Sequence, residues 1–180
     1  MNLYQPLTIN SAPEQSKPYL QQIQSGLGFL PNLFATFAHS PAVLEGYLAM
    51  DKAWEKSSFT AKERQYILLA VSVENKCQYC KAAHSVILKN MMKADANTVN
   101  QIRGHQSIGD QKLDALVLLT REIVGERGFA SESAVKRFLD AGYKKEQVME
   151  ILVGVALKTI SNYLDHISPA TLDDAFKSEA

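Results

Sequence analysis

Helix-start signals recur along the whole chain while strand signals are missing, which confines it to an all-α fold. A small polar residue precedes one apolar-periodic run after another, with no alternating two-residue pattern and no Asn-Gly turn between them. Ser16 with Pro18 opens a helix to about Leu27, and Gly28-Phe29-Leu30-Pro31-Asn32 breaks it before a short helix over 33–38. Ser40-Pro41 starts another, ending near Trp54. Thr60-Ala61-Lys62-Glu63 has the form of a capping box, so a helix is expected over 61–74. Its stretch 66–73 would suit a buried strand by composition alone, but the cap and the helix formers before it favour a core helix buried on most sides. Further helices are expected over 77–92, 97–103, 110–126, 131–141 and 145–164, joined by connections at 104–109 and 126–128. The tail after Pro169 is expected to be ordered only if something packs on it.

With 180 residues, 46% of them hydrophobic, the chain can bury an ordinary core, so a single all-helical domain over 1–180 is expected. Nineteen Lys and Arg balance nineteen Asp and Glu, and no basic stripe with interleaved aromatics would track a phosphate backbone, so nucleic acid is not an expected partner. Met1-Asn2-Leu3-Tyr4-Gln5-Pro6 lacks the regions of a signal peptide, and no stretch approaches the roughly 18 apolar residues of a membrane span. The expectation is a cytoplasmic protein that does not engage a membrane. Lys62-Glu63-Arg64-Gln65 and Lys145-Glu146-Gln147-Val148 each lead into an apolar run. An internal duplication or two similar amphipathic helices explains the pattern, and the alignment slips by one residue when it is continued to His84 and His166.

Cys77 and Cys80, separated by two residues, cannot staple distant parts of a fold, and so short a loop leaves little closure entropy for a disulfide to remove. Their use is chemical. Within Glu74-Asn75-Lys76-Cys77-Gln78-Tyr79-Cys80-Lys81-Ala82-Ala83-His84, a helix from about Cys77 puts both sulfurs and the imidazole on one face, inside the expected chemical region 60–92. Residues three apart on a helix have Cα atoms roughly 5 to 6 Å apart, within the range a disulfide tolerates.

The first turn of a helix favours a thiolate, and this argument favours Cys77 as the attacking sulfur. His84, four residues past Cys80, can share a proton with that sulfur, which favours Cys80 instead. Glu74 stands three residues before Cys77, where it could hold the imidazole in one tautomer or relay its proton. The implied reaction starts with attack of a thiolate on a hydroperoxide to give a sulfenic acid, which the second cysteine condenses into a disulfide. An external dithiol or protein reductant must then restore the pair. Cys80 is expected to attack, because the leaving group needs a nearby acid, and Cys77 to resolve, because its place near the helix end suits a reductant.

Glu-x-x-Cys-x-x-Cys-x-x-x-His, preceded by Leu69-Ala70-Val71-Ser72, resembles the alkylhydroperoxidase D-like branch of the carboxymuconolactone decarboxylase superfamily. Gly28-Phe29-Leu30-Pro31-Asn32-Leu33-Phe34, Ser40-Pro41 and Ile160-Ser161-Asn162-Tyr163-Leu164-Asp165-His166 are similar to flanking features of its peroxidase-related members. The resemblance implies an all-helical bundle, assembly into homo-oligomers, usually trimers or hexamers, and hydroperoxide reduction through the cysteine pair without a cofactor. Two positions depart from alkylhydroperoxidase D proper. Tyr79 stands where that protein has a histidine, and Gln65 stands where it has a glutamate, so Glu74 is expected to take the place of the missing relay. Decarboxylation of a muconolactone is not expected, since the decarboxylases do not rely on a cysteine pair.

Alternatives stand beside this reading. The disulfide could serve a redox sensor or a general disulfide reductase. Zinc could be held by Cys77, Cys80, His84 and Glu74, although structural zinc sites usually draw on two separated ligand pairs and no second pair exists. His166 is expected to pack rather than act, His39 and His105 to be structural or solvated, and Tyr79 to cover the thiols or lie near an oligomer contact. Met91-Met92 and the Phe29, Phe34 and Phe37 cluster read as core or interface.

Overall fold

The computed structural model describes residues 3–180, so the first two residues of the N-terminal segment lie outside the described residues. Among the described residues there are nine α-helices and no strand. They are α1 (Lys17–Leu27), α2 (Asn32–Phe37), α3 (Pro41–Trp54), α4 (Ala61–Glu74), α5 (Gln78–Val86), α6 (Ala96–Arg103), α7 (Gln111–Gly125), α8 (Glu132–Asp140) and α9 (Lys145–Ile167). A π-helical turn at Ile87–Met91 follows α5, and a 3-10 helix at Asp174–Glu179 ends the chain.

The bundle is built around α4. Its capping box is closed in both directions, Glu63 N–H donating to Thr60 Oγ1 at 3.2 Å and Thr60 N–H to Glu63 Oε2 at 2.9 Å. Every residue from Tyr66 to Val73 is buried, and the helix packs against α5, α6, α7 and α9. The apolar run is therefore a core helix surrounded by other helices, which is why it lacks a polar face.

Where α4 stops decides where the cysteines go. Lys76 turns into the left-handed region at φ 59°, and Cys77 N–H donates to Ser72 O at 3.0 Å, closing a helix end of the Schellman type. The next helix begins at Gln78, with Cys77 as its N-cap in extended conformation. The helix expected over 77–92 is thus divided, with α5 ending at Val86 and the π turn widening the last turn to Met91.

Helix α9 runs to Ile167, three residues past the expected end, and its buried face is partly polar. Gln147, Ile151, Gly154, Lys158, Ser161 and Asp165 lie on it at spacings of four and three, with Leu157 and Asn162 beside them. Gly154 marks the tightest approach, since a Cβ there would stand 3.1 Å from Ile67 Cγ2 and 3.2 Å from Trp54 Cζ2. The tail is ordered, and its packing partner is α5. Tyr79 Oη donates to Asp173 Oδ2 at 2.5 Å, and Phe176 packs edge-on against Phe29 and Tyr79. Glu179 accepts from Lys89 at 2.9 Å and Arg103 at 2.7 Å.

Candidate active site

Both cysteines are free thiols, each 1% exposed. Because Cys77 caps α5, its sulfur folds back over the first turn and accepts the Cys80 N–H at 3.2 Å, while its own S–H lies 3.3 Å from Asp165 Oδ2 on α9. Cys80, a turn into the helix, faces a cavity of about 880 Å³. The cavity is enclosed mainly by Phe29, Phe34, Tyr47, Leu68, Ile87 and Phe176, with His84 and Gln65 also lining it and Lys158 beside the sulfur. Cys77 does not reach it. The reason given for a resolving Cys77, its access to a reductant, therefore does not hold: burial under α9 closes that approach, and the disulfide would be open to attack at Cys80.

The two sulfurs are unequal. Hydrogen bonding from the Cys77 thiol to Cys80 lowers the Cys80 pKa against the cost of burial, and the Lys158 ammonium and the Asn162 amide add to it, giving a value of about 6. Cys77 is pushed far up by the same hydrogen bond, by burial and by the adjoining charges of Cys80 and Asp165. At neutral pH the pair is one thiolate, on Cys80, and one thiol, on Cys77. Lys158 is 2% exposed and forms no ion pair with a carboxylate among the described residues, so the Cys80 thiolate is its natural counter-charge. Asn162 uses its Oδ1 to accept from Asn75 at 3.0 Å, and its buried amide nitrogen has no hydrogen-bond partner in standard geometry among the described residues.

His84 is buried, and its Nδ1 lies 2.8 Å from Gln65 Oε1 on α4. With the amide oxygen as acceptor, Nδ1 carries the proton and Nε2 is left as the lone-pair nitrogen. Burial and then the Lys158 charge hold the ring well below its usual pKa, so the imidazole is neutral at physiological pH. Gln65, which sequence reading treated as a lost relay, is the residue that orients the imidazole.

Glu74 is not in this group. Its carboxylate is turned to Arg121 Nε at 3.2 Å and His105 Nδ1 at 3.4 Å, on the side of α4 where α7 packs. The substitution of Glu74 for the missing relay is corrected accordingly: as the last residue of α4 it precedes the turn at Lys76 that redirects the chain toward the cavity. The four-ligand zinc set is not assembled either, and no group of three or more His, Cys, Asp or Glu suited to a metal occurs among the described residues. His166 is exposed and stacks on Tyr163. Tyr79 lines the cavity and is held by Asp173.

Lys158 escaped sequence reading, and Asn162 and Asp165 entered it only as part of the 160–166 segment, because polar residues in an amphipathic helix are ordinarily assigned to its solvent face. The signal that could have found them is the four-three spacing through Ile151, Gly154 and Leu157, which places them on the apolar side.

Residues 41–116 match the sequence model of the Carboxymuconolactone decarboxylase family. No curated protein matches the chain by sequence. Its fold is similar to that of an uncharacterized peroxidase-related protein from Ralstonia eutropha JMP134 with an alkylhydroperoxidase AhpD core, at TM-score 0.86 and 22% identity over 96% of this chain and 93% of that one. It is also similar to a peroxidase-related protein from Silicibacter sp. TM1040, at TM-score 0.83 and 17% identity over 96% and 93% of the two chains. The debrominase Bmp8 matches at TM-score 0.82 and 19% identity over 99% of this chain and 96% of that one, and a variant of it has been solved in complex with 2,3,4-tribromopyrrole. The matched segment carries both cysteines, and the helical bundle around them has the fold of these alkylhydroperoxidase D-like proteins.

Proposed function

We propose that the chain is a thiol-dependent hydroperoxide reductase of antioxidant defence, with Cys80 as the attacking and Cys77 as the resolving cysteine. The observation that carries this reading is the asymmetry of the pair: a thiolate faces the cavity and a thiol stands behind it. Cys80 attacks the terminal peroxide oxygen, an S–O bond forms, the O–O bond breaks, and the departing alkoxide takes a proton to leave as the alcohol. The acid is the Lys158 ammonium, since His84 enters the reaction neutral and its Nε2 serves as acceptor. Cys77 then displaces the sulfenic oxygen as water and closes the disulfide. An external dithiol or protein reductant attacks Cys80 from the cavity and restores the pair. A cytoplasmic setting, where such reductants keep thiols free, agrees with this cycle. Among the described residues no helix is long and apolar enough to cross a membrane.

The exposed stripe of α9 supports homo-oligomer formation as a trimer or hexamer. Met149, Leu152, Tyr163 and Ile167 stand out from it at 49 to 66% exposure. Sedimentation of purified protein tests this, and a monomer at micromolar concentration would remove it.

Purified protein with excess dithiol is expected to consume cumene hydroperoxide, and Cys80→Ser to abolish turnover. Consumption no faster than that of Cys80→Ser would end the peroxidase reading. Mass spectrometry of Cys77→Ser after one equivalent of peroxide should find the sulfenic acid on Cys80; oxidation confined to Cys77 in the wild type would reverse the roles.

The likeness to Bmp8 and the aromatic walls of the cavity favour a second reading, reductive dehalogenation. Cys80 would take the halogen from an aryl carbon, which is protonated, and Cys77 would displace halide to form the same disulfide. Halide release from a bromopyrrole without peroxide consumption would select it.

A further inference from the structure

We infer that Asp165 is a catalytic residue of the second half-reaction, taking the Cys77 proton as the disulfide closes and returning it when the disulfide is reduced. The inference rests on the peroxidase reading of the pair and deepens it. Three placements carry it. Asp165 Oδ2 lies 3.3 Å from Cys77 Sγ, which is hydrogen-bond range for a thiol. Its other oxygen is held by Ala170 N–H at 3.0 Å, so the carboxylate is fixed toward the sulfur. Both groups are buried and neither lines the cavity, which leaves the Cys77 proton without a direct route to solvent.

In the resting pair Cys77 S–H has two acceptors, the Cys80 thiolate and the Asp165 carboxylate. Oxidation removes the first, since a sulfenic acid no longer carries the charge that held the proton. Cys77 must lose that proton to attack, and Asp165 is the base in contact with it. The S–S bond then forms, the S–O bond of the Cys80 sulfenic acid breaks, and hydroxide departs into the cavity, where solvent protonates it to water and also restores the Lys158 ammonium spent in the first half-reaction. One proton stays on Asp165. When an external thiolate attacks Cys80, Cys77 leaves as a thiolate and recovers the proton. The charged groups facing Asp165 are Cys77 and Cys80 from α5, and Lys158 from its own helix acts on the same two sulfurs.

The test is single-turnover oxidation of wild type and Asp165→Asn by one equivalent of cumene hydroperoxide, followed by quenching with a dimedone-type trap. Asp165→Asn is expected to consume peroxide at the wild-type rate but to form the disulfide at least tenfold more slowly at pH 7, with trapped sulfenic acid accumulating on Cys80. The deficit should shrink as pH rises, because solvent base replaces the carboxylate. Disulfide formation at the wild-type rate, or equal slowing of both steps, would overturn the assignment. A wild type that never oxidises with peroxide would instead remove the peroxidase reading itself. Should Asp165→Asn fail to fold, the oxidised-minus-reduced infrared difference spectrum of wild type decides: a protonated carboxylic band that shifts in heavy water is expected, and its absence rejects the proposal.

Discussion

At the scale of single residues, Lys158 adds to the Cys77 hydrogen bond in holding the Cys80 charge. An ammonium sealed in the core with no carboxylate ion pair among the described residues is costly, and a thiolate beside it relieves that cost. Because the Cys80 pKa is lowered to about 6, the thiolate is present above that pH and is lost as pH falls through it. The rate of alkylation by iodoacetamide should therefore show an inflection near pH 6. In Lys158→Met the inflection should move up toward the value of a free thiol, about 8.5, and an unmoved inflection would remove the lysine from the account. Glu74 gives the opposite expectation. Its loss in Glu74→Ala leaves Arg121 poorly solvated, a cost of about 2 kcal/mol read by denaturant unfolding, while peroxide turnover by the folded variant stays within twofold. The contrast shows what was legible. Cys77, Cys80 and His84 follow one another within about two turns of one capped helix, so local periodicity brings them together. Gln65, Lys158 and Asp165 enter from α4 and α9, and whether Glu74 or Gln65 meets the imidazole depends on how α4 is rotated in the core.

Among the elements, α9 is held where it is by the absence of a side chain. Gly154 lets the helix approach Ile67 and Trp54, and that approach carries Lys158 and Asp165, one and three turns later, to the two sulfurs. Gly154→Ala gains about 1 kcal/mol of helix propensity but inserts a methyl group at 3.1 Å from one neighbour and 3.2 Å from another. Overpacking of this kind costs about 1 to 3 kcal/mol. Net destabilisation of about 1 kcal/mol is expected in urea, together with an upward move of the Cys80 inflection as α9 is pushed outward. Stabilisation with an unchanged inflection would show that the close approach does not position the site. The helix boundaries were largely legible because caps are local: Thr60, Asp110 and Ser131 each hold a first-turn amide where sequence reading placed a start. The division of the 77–92 helix was not, since Cys77 is no ordinary capping residue and the π turn leaves no compositional mark.

Over the whole molecule, the order of the tail is the feature that sequence alone left conditional, because it depends on surfaces from the α1–α2 connection, α2, α5, the π turn and α6 at once. Phe176 closes one wall of the cavity, Asp173 ties the tail to Tyr79 and the Asn32 backbone, and Glu179 ties it to Lys89 and Arg103. Truncating a buried phenylalanine costs about 3 kcal/mol, but here the loss is capped by the free energy of releasing the tail, since a terminal segment can undock while the bundle stays folded. Phe176→Ala should therefore lower the melting temperature little and change access strongly. Reaction of Cys80 with a bulky maleimide should rise severalfold, with reaction at iodoacetamide changing much less, because the smaller reagent already enters. Equal acceleration of both reagents would mean that the variant loosens the whole bundle, and no acceleration of either would mean that the tail does not guard the sulfur.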